Sequence, residues 1–191
     1  MRLFRFGSLS VGHFLLLCAV TVAPAYCQKP TATEYEVKAA FLFNFAKFVE
    51  WPPGTFTGNS SPLRVCVLGA EETGAAMEKI VQGKTANGRQ LRIERLNGLD
   101  QVKGCELLFV GASKSGEAEK FLYPDLGYGI LTVGESDGFA LAGGMINLVT
   151  RENHIAFEIN LDAAQRAGLK ISSKLLNLAM LVRDERAPQK D

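Results

Sequence analysis

The sequence predicts an α/β fold, a three-layer α/β/α single domain with a mostly parallel mixed sheet and an antiparallel C-terminal edge. Three nearly continuous apolar runs, at 63–68, 106–110 and 129–133, each stand directly before a glycine. Such runs are typical of strands that are buried on both faces of a parallel sheet, and helix-like segments separate them. Two later apolar runs, at 145–149 and 154–159, flank a short polar turn and predict a hairpin at the edge of the sheet.

The N-terminal helix is the most apolar element of the prediction. Residues 34–52, EYEVKAAFLFNFAKFVEWP, place apolar side chains at helical spacing on two adjacent stripes, and proline ends the helix. Five aromatic residues on it are candidates for contact with a partner protein: three in one stripe (Phe41, Phe45 and Phe48) and two beside it (Phe43 and Trp51). Phe41, Phe45 and Phe48 also suit a protein core. Phe43 and Trp51 are therefore the aromatic residues that we expect a partner or a second subunit to cover.

The segments between the apolar runs predict the covering helices and one further strand. Residues 73–81 have a short helix pattern, 90–96 alternate in the manner of a strand, and 117–122 predict another helix. Strands and helices therefore alternate along the chain, as a parallel sheet requires.

The last third of the chain predicts two more helices. The first begins after Asn160 or Asp162, whose side chains are good helix caps, and Gly168 ends it. The second begins at Ser172 or Ser173 and continues through apolar residues at packing intervals as far as the polar C-terminal tail.

The first residues have the pattern of a cleavable signal peptide. Arg2 and Arg5 precede an apolar stretch at 9–22, and Ala-Pro-Ala at 23–25 offers a cleavage site, with a second one after Cys27. The stretch is short for a membrane span and lacks a charged flank, so we expect the chain to be secreted. The predicted organisation is a signal peptide at 1–25, a flexible N-terminus at 26–33, the α/β domain at 34–183 and a disordered tail at 184–191.

Charge and composition argue against several functions. Removal of the leader takes two arginines from 21 basic residues, which leaves 19 against 20 acidic residues and no basic stripe for nucleic acid. His154 is the one histidine beyond the leader, and the chain lacks H-E-x-x-H, G-x-S-x-G and C-x-x-C. We therefore expect no enzyme activity, no cofactor and no metal, and a hydrolase without a recognisable motif is the alternative.

The cysteines bear on the compartment. Cys18 leaves with the leader, and Cys27 either leaves or stays in the flexible N-terminus. Cys66 and Cys105 remain as an even pair inside apolar strands. In an oxidising compartment this favours a disulfide, and two buried free thiols are the alternative. A disulfide would stabilise the fold by about 4 kcal/mol in the chain-entropy model.

A ligand cleft is the second functional possibility. Gly69, Ser113 and Ser136 follow the three apolar runs, and ligands of open α/β sheets bind at the carboxyl ends of the strands. A surface turn is the simpler interpretation of the loop at 134–138. The glycine spacing after the first run does not fit a dinucleotide site.

The chain resembles the YfiR-type periplasmic proteins over essentially the whole sequence beyond the leader. The matching pieces are the N-terminal helix at 34–52, LRVCVLG at 63–69, Gly88-Arg89, CELLFVG at 105–111, GGMINL at 143–148 and FEINLDAAQRAGLKISSKLLNLA at 157–179.

This resemblance implies a soluble periplasmic regulator, often a dimer, without chemistry of its own. It would bind the periplasmic domain of a membrane-anchored diguanylate cyclase, hold the enzyme inactive and so lower cyclic di-GMP signalling and biofilm formation. It places Cys66 and Cys105 where the family's strand-borne disulfide lies. Ala140 and Asn147 stand where some members carry a second cysteine pair. A periplasmic small-ligand sensor or carrier is the alternative function.

Overall fold

The computed structural model describes residues 32–122, 128–152 and 154–183. The predicted signal peptide and the predicted C-terminal tail lie outside the described residues. The domain divisions proposed from the sequence therefore stay predictions.

The described residues form ten strands, which are in chain order β1 (Val49–Glu50), β2 (Leu63–Leu68), β3 (Thr85–Ala86), β4 (Arg89–Leu96), β5 (Leu107–Val110), β6 (Leu131–Gly134), β7 (Ile146–Arg151), β8 (His154–Asn160), β9 (Lys170–Ile171) and β10 (Met180–Val182). The same part of the chain forms the helices α1 (Glu34–Phe48), α2 (Glu71–Val81), α3 (Ser115–Ala118), α4 (Leu161–Arg166) and α5 (Ser173–Leu176).

Eight strands make one mixed sheet in the order β10-β8-β7-β6-β5-β2-β4-β3. The five strands from β7 to β4 in this order run parallel to one another. Strand β8 is antiparallel to β7, and β10 is parallel to β8, so both run against the central five. Strand β3 pairs antiparallel with β4 at the other edge. The predicted α/β class with a mostly parallel mixed sheet is confirmed.

The two faces of the sheet bury different sets of side chains because successive residues of a strand point to opposite faces. Val65 and Val67 pack against a large cluster that includes Leu42 and Met77 of α1 and α2. Cys66 of the same strand belongs to a smaller cluster on the other face, which short 3-10 turns and the one-turn α3 help to enclose. One face is therefore covered by full helices and the other mainly by short turns.

A capping box fixes the start of α1. The Thr33 hydroxyl accepts a hydrogen bond from the Glu36 backbone N–H, and the Glu36 carboxylate accepts one from the Thr33 N–H. These bonds satisfy two groups that a helix N-terminus otherwise leaves unpaired.

The predicted extent of α1 to Trp51 is wrong by three residues. Val49 is extended, with φ −107° and ψ 140°, and it pairs with Ile171 in a separate two-stranded antiparallel sheet of β1 and β9. The Phe48 carbonyl accepts a hydrogen bond from the Ser172 N–H, so the end of α1 is held by the segment before α5. Tertiary pairing thus ends the helix before Pro52 does.

Two other predicted helices are also wrong in extent. The helix predicted at 117–122 is the single turn α3. The last helix ends at Leu176, and Met180, Leu181 and Val182 pair with β8 as the edge strand of the sheet instead of continuing the helix. Pairing of these backbone groups with the neighbouring strand outweighs the helical spacing of the side chains.

Candidate functional site

The five aromatic candidates of the N-terminal segment occupy different environments. Phe45 is fully buried, and its ring lies 5.3 Å from that of Phe157 and 5.9 Å from that of Phe41. Phe41 is half-buried against the same Phe157 ring, at 5.6 Å. Phe45 thus belongs to the core and has no surface to offer a partner, which corrects its inclusion among the partner-binding candidates.

Phe43 and Phe48 keep part of their rings at the surface, beside exposed lysines. Lys84 Nζ lies 5.4 Å from the Phe43 ring centroid. Lys47 and Lys174 lie 5.6 and 5.9 Å from that of Phe48. We call Phe43, Phe48 and these three lysines the aromatic–basic surface of α1. It combines apolar anchors with positive charge, a combination suited to a negatively charged protein surface.

Trp51 lies apart from this surface, beyond the end of α1. Its indole Nε1 donates a hydrogen bond to the Glu106 carbonyl at 3.1 Å, and its ring lies 6.2 Å from Phe56 in an edge-to-face arrangement. Trp51 therefore lines a cavity at the end of the sheet where β2 and β4 begin.

At the carboxyl edge of the sheet, the residues of the predicted cleft make hydrogen bonds within the protein itself. The Ser113 hydroxyl donates to the Gly69 carbonyl at 3.2 Å, so these two candidates lie together. Glu135 accepts hydrogen bonds from the Ala112 N–H at 3.1 Å and from Lys38 Nζ of α1 at 2.6 Å. Burial lowers the pKa of Lys38, but its hydrogen bonds to Glu135 and Glu34 outweigh this effect and raise that pKa overall.

Two further details define this edge. A Cβ atom at Gly111 would collide with the Gly69 carbonyl, so the turns after β2 and β5 approach each other at the backbone. The hydroxyl of Ser136, the third candidate, is buried and has no hydrogen-bond partner among the described residues. The ion pair of Lys38 and Glu135 lies at this edge, where ligands of open α/β sheets bind, and the ligand cleft stays a prediction.

Cys66 and Cys105 are joined in a disulfide, with 5.9 Å between their Cα atoms. The bridge connects the middle of β2 to the turn before β5. Arg64 and Glu106 add a polar link at the same place, because the Arg64 N–H donates to Glu106 Oε2 at 2.6 Å. The disulfide thus reinforces the central pair of parallel strands.

Sequence reasoning missed Phe56, Asn87 and Arg89, which form the cavity with Trp51. Asn87 and Gly88 both have positive φ, 50° and 77°, and join β3 to β4 as a two-residue hairpin turn. An Asn-Gly pair is the strongest short-range sequence signal for such a turn, so this hairpin could have been predicted from the sequence.

Some exposed apolar side chains were also not anticipated. The most exposed are Leu178 at 74%, Tyr128 at 68% and Leu181 at 60%. Leu181 lies in β10 and Leu178 lies just before it, at the open edge of the sheet.

Neither a metal centre nor a membrane span is found in what the structure describes. Across residues 32–122, 128–152 and 154–183, His, Cys, Asp and Glu form no group of three that could hold a metal ion. Within those same ranges, no helix combines the length and the apolar character that a membrane crossing needs.

A family model of YfiR/HmsC-like proteins matches residues 35–180, and the chain belongs to this family. Membership supports a periplasmic regulator rather than an enzyme.

Two solved structures are distantly similar to the chain. One is the ABC domain in complex with L-Trp from Streptococcus pneumonia, with 12% identity over 75% of this chain and a TM-score of 0.45. The other is a conserved domain protein from Vibrio cholerae O1 biovar eltor, with 11% identity over 78% of this chain and a TM-score of 0.43. The match spans 60% of the length of each of those chains, and likeness at this level says nothing about function.

Proposed function

We propose that the protein is a periplasmic, non-enzymatic regulator that binds the periplasmic domain of an inner-membrane diguanylate cyclase and holds the enzyme inactive. The observation that carries this proposal is membership of the YfiR/HmsC-like family over residues 35–180. Release of the cyclase would raise cyclic di-GMP and promote biofilm formation. The proposal assigns no reaction and no cofactor to the protein, and it includes a homodimer as a possible form.

The proposal includes the predicted processing of the chain. A leader at 1–25, or at 1–27 with the alternative cleavage site, would direct secretion to the periplasm and then be removed. The α/β domain at 34–183 would act there.

The aromatic–basic surface of α1 is the proposed contact with the cyclase. Aromatic side chains, including Phe, are enriched at protein–protein interfaces relative to the rest of the surface. The surrounding lysines would steer an acidic partner surface and make association weaken as salt increases. Phe43 and Phe48 are therefore the proposed anchors, and Lys47, Lys84 and Lys174 the steering charges.

Co-purification tests this proposal directly. The protein, expressed with its leader and isolated from the periplasm, is mixed with the periplasmic domain of a diguanylate cyclase encoded beside it, in oxidising and in reducing buffer. We expect a complex at micromolar concentrations in at least one redox state, and no binding in either state contradicts the proposal.

A charge-reversal series then tests the contact surface. Lys47→Glu with Lys174→Glu should weaken the complex about tenfold or more, through repulsion of an acidic partner. Lys120→Glu with Lys103→Glu is the matched control, since both of these lysines are exposed and lie outside α1 and its neighbours. Equal effects of the two pairs would place the contact elsewhere.

A second candidate function is a periplasmic small-ligand sensor or carrier. One observation favours it, a cavity of about 380 Å³ beside Trp51 and Phe56. Thermal unfolding with a panel of metabolites tests it, because a ligand that binds only the folded state raises the melting temperature.

A further inference from the structure

A cavity of about 380 Å³ lies at the edge of the sheet where β2 and β4 begin, opposite the edge that carries Gly69 and Glu135. Trp51, Phe56 and Leu63 supply apolar walls, and Asn87 and Arg89 supply polar groups. Ligand pockets range from about 300 to 1,000 Å³, so this volume suits a single ring better than an extended cofactor.

The walls of this cavity are held in place by contacts that do not require a ligand. The guanidinium of Arg89 lies 3.8 Å from the Phe56 ring centroid. Its Nη1 donates hydrogen bonds to the carbonyls of Gly58, Asn59 and Ser61, at 2.8, 3.2 and 2.7 Å. Trp51 is fixed by its bond to the Glu106 carbonyl. A pre-formed site loses little entropy when a ligand binds.

The polar groups of the cavity offer both hydrogen-bond donors and acceptors. Asn87 Nδ2 donates to the carbonyls of Ala46 and Val49, at 3.3 and 3.0 Å, which leaves its Oδ1 as an acceptor. The exposed Glu50 carboxylate is a second acceptor on the rim. The Nε and Nη2 groups of Arg89 have no hydrogen-bond partner in the part of the chain that the structure describes, and they are donors.

Charge narrows the class of ligand. Glu50 and Arg89 carry one negative and one positive formal charge, so the lining sums to zero. An anion would meet Glu50 and a cation would meet Arg89. The Glu50 charge is exposed and screened, and the Arg89 charge is shared with three loop carbonyls, so the site offers hydrogen bonds more than a localised charge.

We propose that this cavity binds a neutral polyhydroxylated ring, that is, a sugar unit. The C–H face of such a ring packs on aromatic walls, and its neighbouring hydroxyls both donate to carboxylate or amide oxygens and accept from guanidinium. The ring could come from a free saccharide or from the end of a glycan chain. This inference rests on the second candidate function and does not depend on the cyclase partner.

Trp51 gives this proposal a direct readout because it is the single tryptophan of the chain. The purified protein is titrated with glucose, N-acetylglucosamine and a short oligosaccharide of N-acetylglucosamine while intrinsic fluorescence is recorded. We expect a saturable change with a millimolar dissociation constant for at least one of them. Tighter binding of the oligosaccharide indicates a glycan end, and equal or tighter binding of the monosaccharides indicates a free sugar.

A matched pair of variants ties the signal to the site. Glu50→Gln removes the rim charge but keeps an amide oxygen, so it should weaken binding by about three- to tenfold. Glu72→Gln is the control, since Glu72 is also exposed and lies on α2, away from the cavity. This variant should bind the sugar as the unmodified protein does.

Two results would overturn the proposal. One is the absence of any saturable fluorescence change with all three sugars at high millimolar concentration while the protein remains folded by circular dichroism. The other is a response to glycine betaine, an amino acid or a sugar phosphate that is stronger than the response to the neutral sugars. Either result leaves the cyclase complex, which is measured separately, unaffected.

Discussion

Glu106 lies directly before β5, and the residue is only 8% exposed. Burial raises its pKa, and this effect exceeds the opposing effects of the hydrogen bond from the Arg64 N–H and of the charges of Arg64 and Arg89. A buried carboxyl group with a raised pKa binds a proton more readily in the folded state than in the unfolded chain. Its contribution to stability is therefore present below the unfolded pKa and is lost as pH rises through the folded pKa.

The substitution Glu106→Gln tests the direction in which the contribution of Glu106 to stability changes with pH. The amide oxygen can still accept from the Arg64 N–H, but the group no longer titrates. From about pH 4 upward, the unfolding free energy of the unmodified protein should fall relative to that of the variant, until the carboxyl group is ionised in both states. Urea denaturation at several pH values measures this difference. A difference that grows in the opposite direction would show that the ionised carboxylate is the stabilised form.

Phe45 and Phe43 of α1 allow the stability contributed by a core ring to be compared with that of a ring at the surface. Phe45→Ala removes a fully buried ring that contacts Phe41 and Phe157, and should cost about 3–5 kcal/mol of unfolding free energy. Phe43→Ala removes a ring that is partly in water, so its cost should be less than half as large. Chemical denaturation of both variants measures these costs. Equal losses would mean that Phe43 is as much a core residue as Phe45.

At the scale of elements, the disulfide joins β2 to the turn before β5 across 39 residues of sequence. The chain-entropy model gives a stabilisation of about 4 kcal/mol for a loop of this size. The double variant Cys66→Ala, Cys105→Ala should lose most of this amount in urea denaturation, and a reductant should destabilise the unmodified protein but not the variant. Free thiols at Cys66 and Cys105 in denatured, periplasm-expressed protein would contradict the bridge.

Elements with a local signal were predictable from the sequence. The strands β2, β5 and β6 are buried on both faces, and such burial requires consecutive apolar residues, which can be recognised in the sequence. Strand β10 was not predictable in this way, because Leu178 and Val182 also fit helical spacing and only pairing with β8 decides between the two structures. The two-residue strands β1 and β9 are defined by each other and have no local pattern.

The candidate sites, like the elements, were only partly predictable from the sequence. The disulfide was predictable from the sequence because two cysteines in an oxidising compartment favour formation of a disulfide. The cavity is built from segments near Trp51, Leu63 and Arg89. The parallel pairing of β2 with β4 brings the last two together, and the bond to the Glu106 carbonyl places Trp51. The ion pair at the carboxyl edge joins Lys38 of α1 to Glu135, 97 residues later, and no spacing rule predicts that contact.

At the scale of the described domain, the two candidate functions use different surfaces. The aromatic–basic surface is centred on α1 and includes Lys84 and Lys174 from neighbouring segments, on the face of the sheet with the larger core. The cavity opens at the edge where β2 and β4 begin, and the Cys66–Cys105 bridge lies nearby, next to Glu106. Trp51 follows the end of α1 and bonds to the Glu106 carbonyl, so a ligand in the cavity would lie near the end of the helix that we propose binds the cyclase.

The sheet as a whole predicts a gradient of stability. Strands β2, β5 and β6 are central and buried on both faces, whereas β10 is an edge strand with Leu181 60% exposed. In native-state hydrogen exchange, amides of the central strands should exchange through global unfolding, with strong urea dependence. Amides of β10 should exchange faster, through local opening with little urea dependence. If β10 amides instead became as protected as those of β2 when protein concentration increases, a second copy would be covering this edge, and the edge strand would belong to a dimer interface.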